Sequence, residues 1–398
     1  MKHLPKFICF ISAIGVLLYA APYENFQWKG KIENEDGVKI IKNPSEPLYG
    51  EITLELEEDL SIGNGDKDNC YFYGSIDIDV DTKGNIYVLD RANFRVQKFD
   101  RNGNFVLTMG RQGQGPGEFR DPRWMILDQF DRICILDMGM IHIFNQDGEL
   151  EDCIGLKNIL IQLSFTEKEN IVCLLSTHTD EGREEKIVLS NREGNQLKSY
   201  ANSILPVFKR KNMIITGGGP YNPRLHFCPW LKGSAVYGHS SEYRIFYIDS
   251  SGELTFIAEA KQPPEPITKK DRNEFYENVF ESQNKMSSRF PNRESLSMNE
   301  IKKAYPLPKN KPFFLKLLSD DEGNVYVFDI PDLYAKEKRI EFDLFNSQGY
   351  YLYRVKMALL PRVIKTGYIF RDVWDKEGEF FRVIRYKIKN WDRIKINI

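Results

Sequence analysis

A ten-residue phrase that occurs twice constrains this chain more than any other feature. Residues 81–90 read DTKGNIYVLD, and residues 320–329 read DDEGNVYVFD. Each copy starts with an acidic, glycine-containing turn and continues as a short apolar strand that ends in Asp. One such unit cannot bury its apolar face alone, so the repeat predicts that several copies pack against one another.

The first copy belongs to a set of four short strands. Residues 74–81 alternate apolar and polar side chains, residues 85–90 follow, and residues 95–99 and 105–109 flank an Asp/Asn/Gly turn. Four antiparallel strands joined in this way are typical of one β-propeller blade. The order recurs with drift in five further ranges, which are 123–154, 159–200, 224–258, 313–356 and, incompletely, 368–388. We therefore predict an all-β chain that forms a six-bladed β-propeller of four-stranded antiparallel blades.

The sixth blade runs out of chain, and an open sheet edge would promote aggregation. Two strand-like runs, residues 38–42 and 51–56, precede the first blade. We expect these N-terminal strands to complete the last blade and so close the ring. The predicted organisation is a signal peptide at 1–20, a linker at 21–36 and the propeller at 37–398, with an insertion at 261–311 between blades four and five.

Three local patterns resemble the NHL-repeat six-bladed β-propellers, including their bacterial, secreted members. They are Gly-x-Ile-Tyr-Val-x-Asp at 84–90, Asn-x-Arg-Val-x-x-Phe at 93–99 and Gly-Pro-Gly-Glu-Phe at 115–119. The resemblance implies the fold, but that family includes both lyases and binding modules, so function has to be argued from sites. Amidating lyases of this fold hold zinc with several histidines. This chain offers two candidates for that role, His226 and His239 of blade four.

The first twenty residues are typical of an export signal. Lys2 and Lys6 precede an apolar run at 7–18, and small residues around Ala20 offer a cleavage site. We expect a secreted or periplasmic protein cleaved near Ala20, with an uncleaved anchor as the alternative. No later segment is long and apolar enough to span a bilayer, so no membrane span is predicted after cleavage.

Charge and cysteine content narrow the range of partners. The 55 Lys and Arg residues nearly balance the 57 Asp and Glu residues, and no basic stripe is present, which argues against a nucleic-acid partner. Of six cysteines, Cys9 lies in the signal segment, and the other five show no Cys-x-x-Cys spacing. One disulfide could form, although the sequence does not assign it, and we expect a monomer.

The insertion at 261–311 is predicted to be partly helical. Thr268-x-x-Asp271 and Ser297-x-x-Glu300 resemble capping boxes, and an apolar stripe follows the first of them, formed by Phe275, Val279 and Phe280. The stripe either packs on the propeller or belongs to a lid over the central channel. Residues 110–122 and 201–223 are predicted long loops on the same face, where binding residues tend to lie.

Four polar residues occupy equivalent positions at the ends of second strands: Asp90, Asp137, His239 and Asp329. Together with Arg91, they could bind a polar ligand or a divalent cation, calcium or zinc, at the channel mouth. Alternatively, such an Asp caps the following turn, and Asp90-x-x-Asn93-x-Arg95 resembles a local brace of that kind.

The sequence contains no linear motif of a nucleophilic enzyme. We therefore predict no catalytic residue and no required cofactor. The sequence favours a non-enzymatic module that binds a protein, peptide or glycan through the loop-rich face. The alternative is a divalent-cation-dependent lyase or hydrolase with its site at the channel mouth.

Overall fold

A computed structural model describes residues 27–63, 71–155, 159–179, 182–210, 213–216, 219–289, 295–331, 340–365, 367–376 and 378–394. The signal segment and its cleavage site near Ala20 lie outside these ranges. Four strands come first in the chain: β1 (Lys31–Glu35), β2 (Val38–Asn43), β3 (Glu51–Thr53) and β4 (Leu56–Ile62). They do not form a sheet of their own, and each joins or extends a blade built later in the chain.

Blades one to three follow. Blade one contains β5 (Ile76–Val80), β6 (Ile86–Asp90), β7 (Arg95–Phe99) and β8 (Phe105–Met109). Blade two contains β9 (Pro122–Leu127), β10 (Ile133–Asp137), β11 (Met140–Phe144) and β12 (Leu150–Gly155). Blade three contains β13 (Ile159–Phe165), β14 (Ile171–His178), β15 (Gly182–Ser190), β16 (Gln196–Arg210) and β17 (Met213–Thr216). Within each blade, consecutive strands pair antiparallel.

Blades four to six complete the ring. Blade four contains β18 (Leu225–Trp230), β19 (Ser234–His239), β20 (Arg244–Ile248) and β21 (Leu254–Ala260). The insertion carries helices α1 (Lys269–Arg289) and α2 (Met298–Ala304). Blade five contains β22 (Lys316–Ser319), β23 (Val325–Phe328), β24 (Ile340–Phe345) and β25 (Tyr351–Met357). Blade six contains β26 (Val363–Lys365), β27 (Tyr368–Asp375) and β28 (Phe380–Ile388).

The N-terminal segment closes the ring, but it does so differently from the sequence prediction. β4 pairs antiparallel with β28 and completes blade six, so the closure by an N-terminal strand is confirmed. The assignment of residues 38–42 and 51–56 to that blade is wrong, because β2 pairs parallel with β21 of blade four and β3 pairs parallel with β25 of blade five. The strand that does complete blade six, Leu56–Ile62, carries three acidic residues that are exposed at the rim, which hid its strand pattern. The expected linker also contains β1, which pairs with β2.

A single buried side chain fastens this segment to two blades. The Asn43 amide group donates to the carbonyl oxygens of Glu259 in blade four (3.1 Å) and Gly349 in blade five (2.9 Å). Its Oδ1 accepts from the backbone N–H of Tyr351 at 2.9 Å and from Trp28 Nε1 at 3.1 Å. Because Asn43 is only 4% exposed, these bonds fix the register of the segment in a water-poor site.

The repeated phrase forms the same turn in both copies. Asp320 Oδ1 accepts from the backbone N–H of Asn324 (2.8 Å), and its Oδ2 accepts from the Asn324 amide (2.8 Å) and from the Tyr326 hydroxyl (2.6 Å). Asp81 makes the equivalent contacts to Asn85 and Tyr87. The glycine between them is in the left-handed region, with φ +81° at Gly323, which explains why glycine occupies this place.

The core lies between neighbouring blades. Tyr87 and Met109 of blade one pack with Phe119, Ile133 and Phe144 in a buried cluster shared with blade two. Replacing one such ring with alanine would cost about 3–5 kcal/mol, because blades are held together mainly by these contacts. The high aromatic content of 13% is therefore used chiefly between blades.

Blade three departs from the prediction of a loop at 201–223. β16 runs on to Arg210 and pairs with β15 as far as Gly182 opposite Pro206, and β17 then pairs back on β16. Two register shifts lie in the β15–β16 pair, between Ile187 and Val188 and between Leu189 and Ser190. The extended hairpins of blade three therefore form a wall beyond the strands of the other blades.

We call the upper face the end of the ring where second strands end and where the insertion begins. Both predicted capping boxes are present, with Asp271 N–H donating to Thr268 Oγ1 at 3.1 Å and the complete reciprocal pair at Ser297 and Glu300. The stripe on α1 packs inward, where Phe275 joins a buried cluster with Tyr221 and Ile267. Among the described residues, no helix combines the length and apolar character needed to cross a bilayer.

Candidate functional site

The five predicted ligand-binding residues all lie at the upper face, in four different blades. Asp90 is fully buried, and its Oδ2 accepts from the Asn93 amide at 2.7 Å and pairs with the Arg95 guanidinium at 3.2 Å. Burial raises the pKa of Asp90, although Asn93 and Arg95 act in the opposite direction. Arg91 donates from Nη1 to Ser75 Oγ (2.7 Å) and from Nε to the Pro122 carbonyl (3.0 Å), which links blades one and two. The alternative reading of Asp90 as part of a local brace is confirmed by these contacts.

Asp137 holds the connection between blades one and two. Its two carboxylate oxygens accept from the backbone N–H groups of Arg120 (2.9 Å) and Asp121 (2.5 Å). His142 Nε2 lies 3.7 Å from Asp137 Oδ2, and Cys153 Sγ lies 3.5 Å from His142 Nδ1. Burial lowers the pKa of His142 and raises that of Cys153, so both groups are held in their neutral forms.

His239 connects blade four to the extended part of blade three. Its Nε2 lies 3.1 Å from Ser203 Oγ, and its Nδ1 lies 2.6 Å from Ser241 Oγ. Burial lowers the pKa of His239. The imidazole therefore acts here as a neutral hydrogen-bonding group between two hydroxyls.

Asp329 belongs to a cluster in which one cation faces three carboxylates. The Arg354 guanidinium pairs with Asp329, with Asp343 Oδ1 at 2.8 Å and with Glu341 Oε2 at 3.2 Å. Asp343 is fully buried and also accepts from the hydroxyls of Tyr243 and Tyr351. Burial raises the pKa of Asp329 to about 7, with Arg354 opposing the shift and the neighbouring carboxylates adding to it.

The structure thus places the predicted residues on one face, where each already has partners, some within its own blade and some in a neighbouring blade or the connecting segment. In the parts of the chain that the structure describes, no three His, Cys, Asp or Glu side chains form a group that could hold a metal ion. A ligand-binding role for Asp90, Arg91, Asp137, His239 and Asp329 stays a prediction.

A cavity of about 290 Å³ opens at the upper face between blades three, four and five. Its charged lining consists of Arg183, Glu185, Arg224 and Lys316. Its neutral polar lining includes Gln162, Asn222, His226 and Ser240, and its apolar walls include Leu174, Leu225, Phe314 and Leu317. A size near the lower end of the range for small-ligand pockets fits one residue or ring of a ligand.

Glu185 is the most unusual group in this cavity. The residue is 2% exposed, and its Oε1 lies 3.3 Å from Arg183 Nη2. Its buried Oε2 has no hydrogen-bond partner among the described residues. Arg183 in turn donates from Nε to Ser176 Oγ at 2.7 Å, which fixes the guanidinium. A buried carboxylate oxygen without a donor is costly, and a donor on a bound ligand would relieve that cost.

Lys316 and His226 are two ionisable residues that line the cavity on the side of blades four and five. The Lys316 ammonium donates to the Pro361 carbonyl at 3.0 Å, and burial, with help from Arg362, lowers its pKa to about 8. The amine is therefore mainly charged at neutral pH. Burial and the nearby positive charge of Arg224 lower the pKa of His226 to about 3, so its imidazole is neutral.

The insertion shapes the rim of this cavity. A Cβ placed on Gly219 would lie 2.8 Å from the Phe275 ring of α1, and Tyr221 packs on the same ring with centroids 6.1 Å apart. The Asn222 amide donates to the Pro306 carbonyl at 3.5 Å, while its buried Oδ1 has no partner among the residues that the structure describes. The segment 219–224 is thus held between α1 and the cavity.

Sequence reasoning missed this site because its charged residues come from three separate blades. Arg183 and Glu185 lie in a charged run that reads as a solvated strand end, Arg224 begins one predicted strand, and Lys316 lies in the middle of another. Of its lining residues, the sequence points to His226, as a candidate for a zinc site, and to Gly219 and Pro220, which belong to a glycine-rich run. Two signals were available: an unusually charged hairpin in blade three and a long insertion that begins directly after blade four.

Comparison with known proteins agrees with this architecture. A protein from Bacteroides fragilis NCTC 9343 that is named as exported is similar over 88% of this chain and 99% of its own, with 14% identity and a TM-score of 0.51. A member of the DUF4221 family from Bacteroides vulgatus ATCC 8482 has 12% identity over 84% of this chain and 98% of its own, with a TM-score of 0.45. At such identities the first likeness concerns the fold alone. No curated protein was found to match the chain.

The family comparison covers most of the ring. A family model described as a 6-bladed β-propeller matches residues 67–346, which include blades one to four, the insertion and most of blade five. With this match and the six blades of its structure, the chain belongs to the DUF5128 family of 6-bladed β-propellers.

Proposed function

We propose that this chain is a secreted or periplasmic, non-enzymatic binding module that takes one unit of a protein, peptide or glycan ligand into the upper-face cavity. The observation that carries the proposal is the buried Glu185 oxygen without a donor, in a cavity that Arg183, Arg224 and Lys316 also line. Buried polar groups without partners are rare in native proteins, and a binding site is one place where they are expected.

The surrounding architecture supports the same function. The extended hairpins of blade three and the segment 219–224, packed against α1, make the cavity a recess in a raised surface. A larger ligand could lie along that surface while one of its units enters the cavity. Part of the lining, including Gln162, Leu174 and Glu185, comes from strands, which favours a preformed site.

The experiment compares binding to peptide and glycan arrays for the mature chain and for Gln162→Trp, which fills the cavity from β13. The control is Asn102→Trp, an exposed turn residue on the opposite face. The proposal predicts that specific array signals disappear in Gln162→Trp and persist in Asn102→Trp. Signals that persist in both variants would show that the cavity is not the binding site.

The alternative of a divalent-cation-dependent lyase or hydrolase would draw on Asp90, Asp137, His239 and Asp329. It is tested by elemental analysis of the purified mature chain. Stoichiometric calcium or zinc that is lost in Asp137→Ala or Asp329→Ala, together with turnover lost in the same variants, would replace the binding proposal.

A further inference from the structure

We infer that the unit bound in the upper-face cavity is the carboxy-terminal residue of a peptide, with a free carboxylate and an apolar side chain. This inference rests on the proposed function and names the chemistry that the cavity would recognise. It follows from three properties of the lining: the sign of its free charge, its unsatisfied acceptors and its apolar walls.

The first property is an excess of positive charge in the lining, which favours binding of an anion. Arg183 is paired with Glu185, so the charges of this pair largely cancel. Arg224 and Lys316 remain as cations on the other side of the cavity, and the Lys316 ammonium donates to a neutral carbonyl rather than to a carboxylate. A guanidinium together with an ammonium in a recess suits a carboxylate, because charge-assisted hydrogen bonds are the strong ones.

The second property is a pair of buried hydrogen-bond acceptors in the cavity, which favour neutral donors on the ligand. Glu185 Oε2 and Asn222 Oδ1 are both buried without a hydrogen-bond partner among the described residues. Since Arg183 already supplies the positive charge beside Glu185, a neutral N–H donor satisfies that carboxylate without adding a further cation. The backbone N–H groups of the last residues of a peptide are donors of this kind. Capture of a peptide by its C-terminal carboxylate is a known recognition mode.

The third property distinguishes a peptide from an acidic sugar. Leu174, Leu225, Phe314 and Leu317 form apolar walls in the same cavity. An apolar side chain gains about 25 cal/mol for each Å² that it buries against such walls. A glucuronate ring carries hydroxyl groups around its whole edge and has no aliphatic side chain to place against these walls.

The test is fluorescence polarisation with fluorescein-labelled Gly-Gly-Ala-Leu, its carboxamide and labelled glucuronate, titrated with the mature chain. The free-acid peptide is expected to bind at least tenfold more tightly than its carboxamide, which is the effect of one lost charge-assisted contact. Arg224→Met should weaken the free acid by at least tenfold and leave the carboxamide unchanged. Glu185→Gln should weaken both peptides, because the stronger acceptor is lost in each case.

The control is Arg111→Ala, which removes a positive charge from the same face outside the cavity and should change neither affinity. Thermal melting of each variant verifies that it is folded. Equal affinity for acid and carboxamide, or glucuronate binding in place of the peptide, would overturn the inference while leaving the proposed function intact. If cavity filling by Gln162→Trp also left every array signal unchanged, the proposed function itself would fail.

Discussion

Replacing Asp329 with asparagine should make the protein more stable at alkaline pH and should remove part of its pH dependence. Asp329, Glu341 and Asp343 share the single guanidinium of Arg354. Asp343 also accepts from two tyrosine hydroxyls, and burial raises the pKa of Asp329 to about 7.

The sign and the size of this effect of pH on stability follow from the linkage between proton binding and folding. A carboxyl whose pKa is raised from 3.8 to about 7 on folding stabilises the folded state at low pH, and this contribution is lost as the pH rises from about 4 to about 7. The full shift corresponds to about 4 kcal/mol. Because the side chain is 27% exposed, solvent screening reduces this value, and we expect about 1–2 kcal/mol.

The assay is urea unfolding, followed by tryptophan fluorescence at pH 4.5 and pH 8. The stability of Asp329→Asn relative to the natural chain should increase by about 1–2 kcal/mol between the two pH values. Asp392→Asn, which changes an exposed carboxylate outside the cluster, should show no such increase. The reasoning is refuted if the relative stability of Asp329→Asn is the same at both pH values or falls at pH 8.

Three further predictions concern the turns, the ring closure and the thiols. Asp320→Ala removes a buried acceptor of four hydrogen bonds and should cost about 2–4 kcal/mol, whereas Asp100→Ala in an exposed turn should cost less than about 1 kcal/mol; equal losses in urea unfolding would contradict the account of the turn. Deleting residues 21–63 removes β4 and exposes the edge of β28, so size-exclusion chromatography should show aggregates, while a deletion of 21–49 should leave a monomeric ring of lower melting temperature; two monomeric products would argue against closure by β4. Cys173 and Cys228, whose pKa values burial raises to about 12, should react with a thiol reagent at pH 8 only after unfolding, measured in a Cys70→Ser/Cys153→Ser background; rapid labelling of the native chain would contradict their burial.

The parts of the fold that could be predicted are those fixed by local chemistry. The turn at Asp320 is determined within seven residues, since its acceptors and donors all lie between Asp320 and Tyr326. The same holds for the capping boxes at Thr268 and Ser297, whose partners lie three residues away. Short-range hydrogen bonds leave a spacing in the sequence, and such a spacing can be recognised without a structure.

The parts that could not be predicted depend on distant partners. β2 and β3 show ordinary strand patterns, but nothing local says that their partners are β21 and β25 rather than β28. The candidate site is of the same kind, because Glu185, Arg224 and Lys316 become neighbours of one cavity only when blades three, four and five are arranged in a ring. Among the residues predicted for the site, Asp90 is the opposite case. Its contact with Asn93 is short-range, so the sequence already indicated a local brace as the alternative to ligand binding.

The path of the N-terminal segment has a consequence for how this protein is made. The first strands to leave the ribosome have partners in the last blades to be synthesised, as the bond between Asp59 and Arg385, 326 residues apart, illustrates. The ring therefore cannot close until translation of almost the whole chain is complete, and pairing across such separations makes closure slow. A nascent chain that stays open for so long keeps its sheet edges exposed, and closure of the ring is the event that protects them.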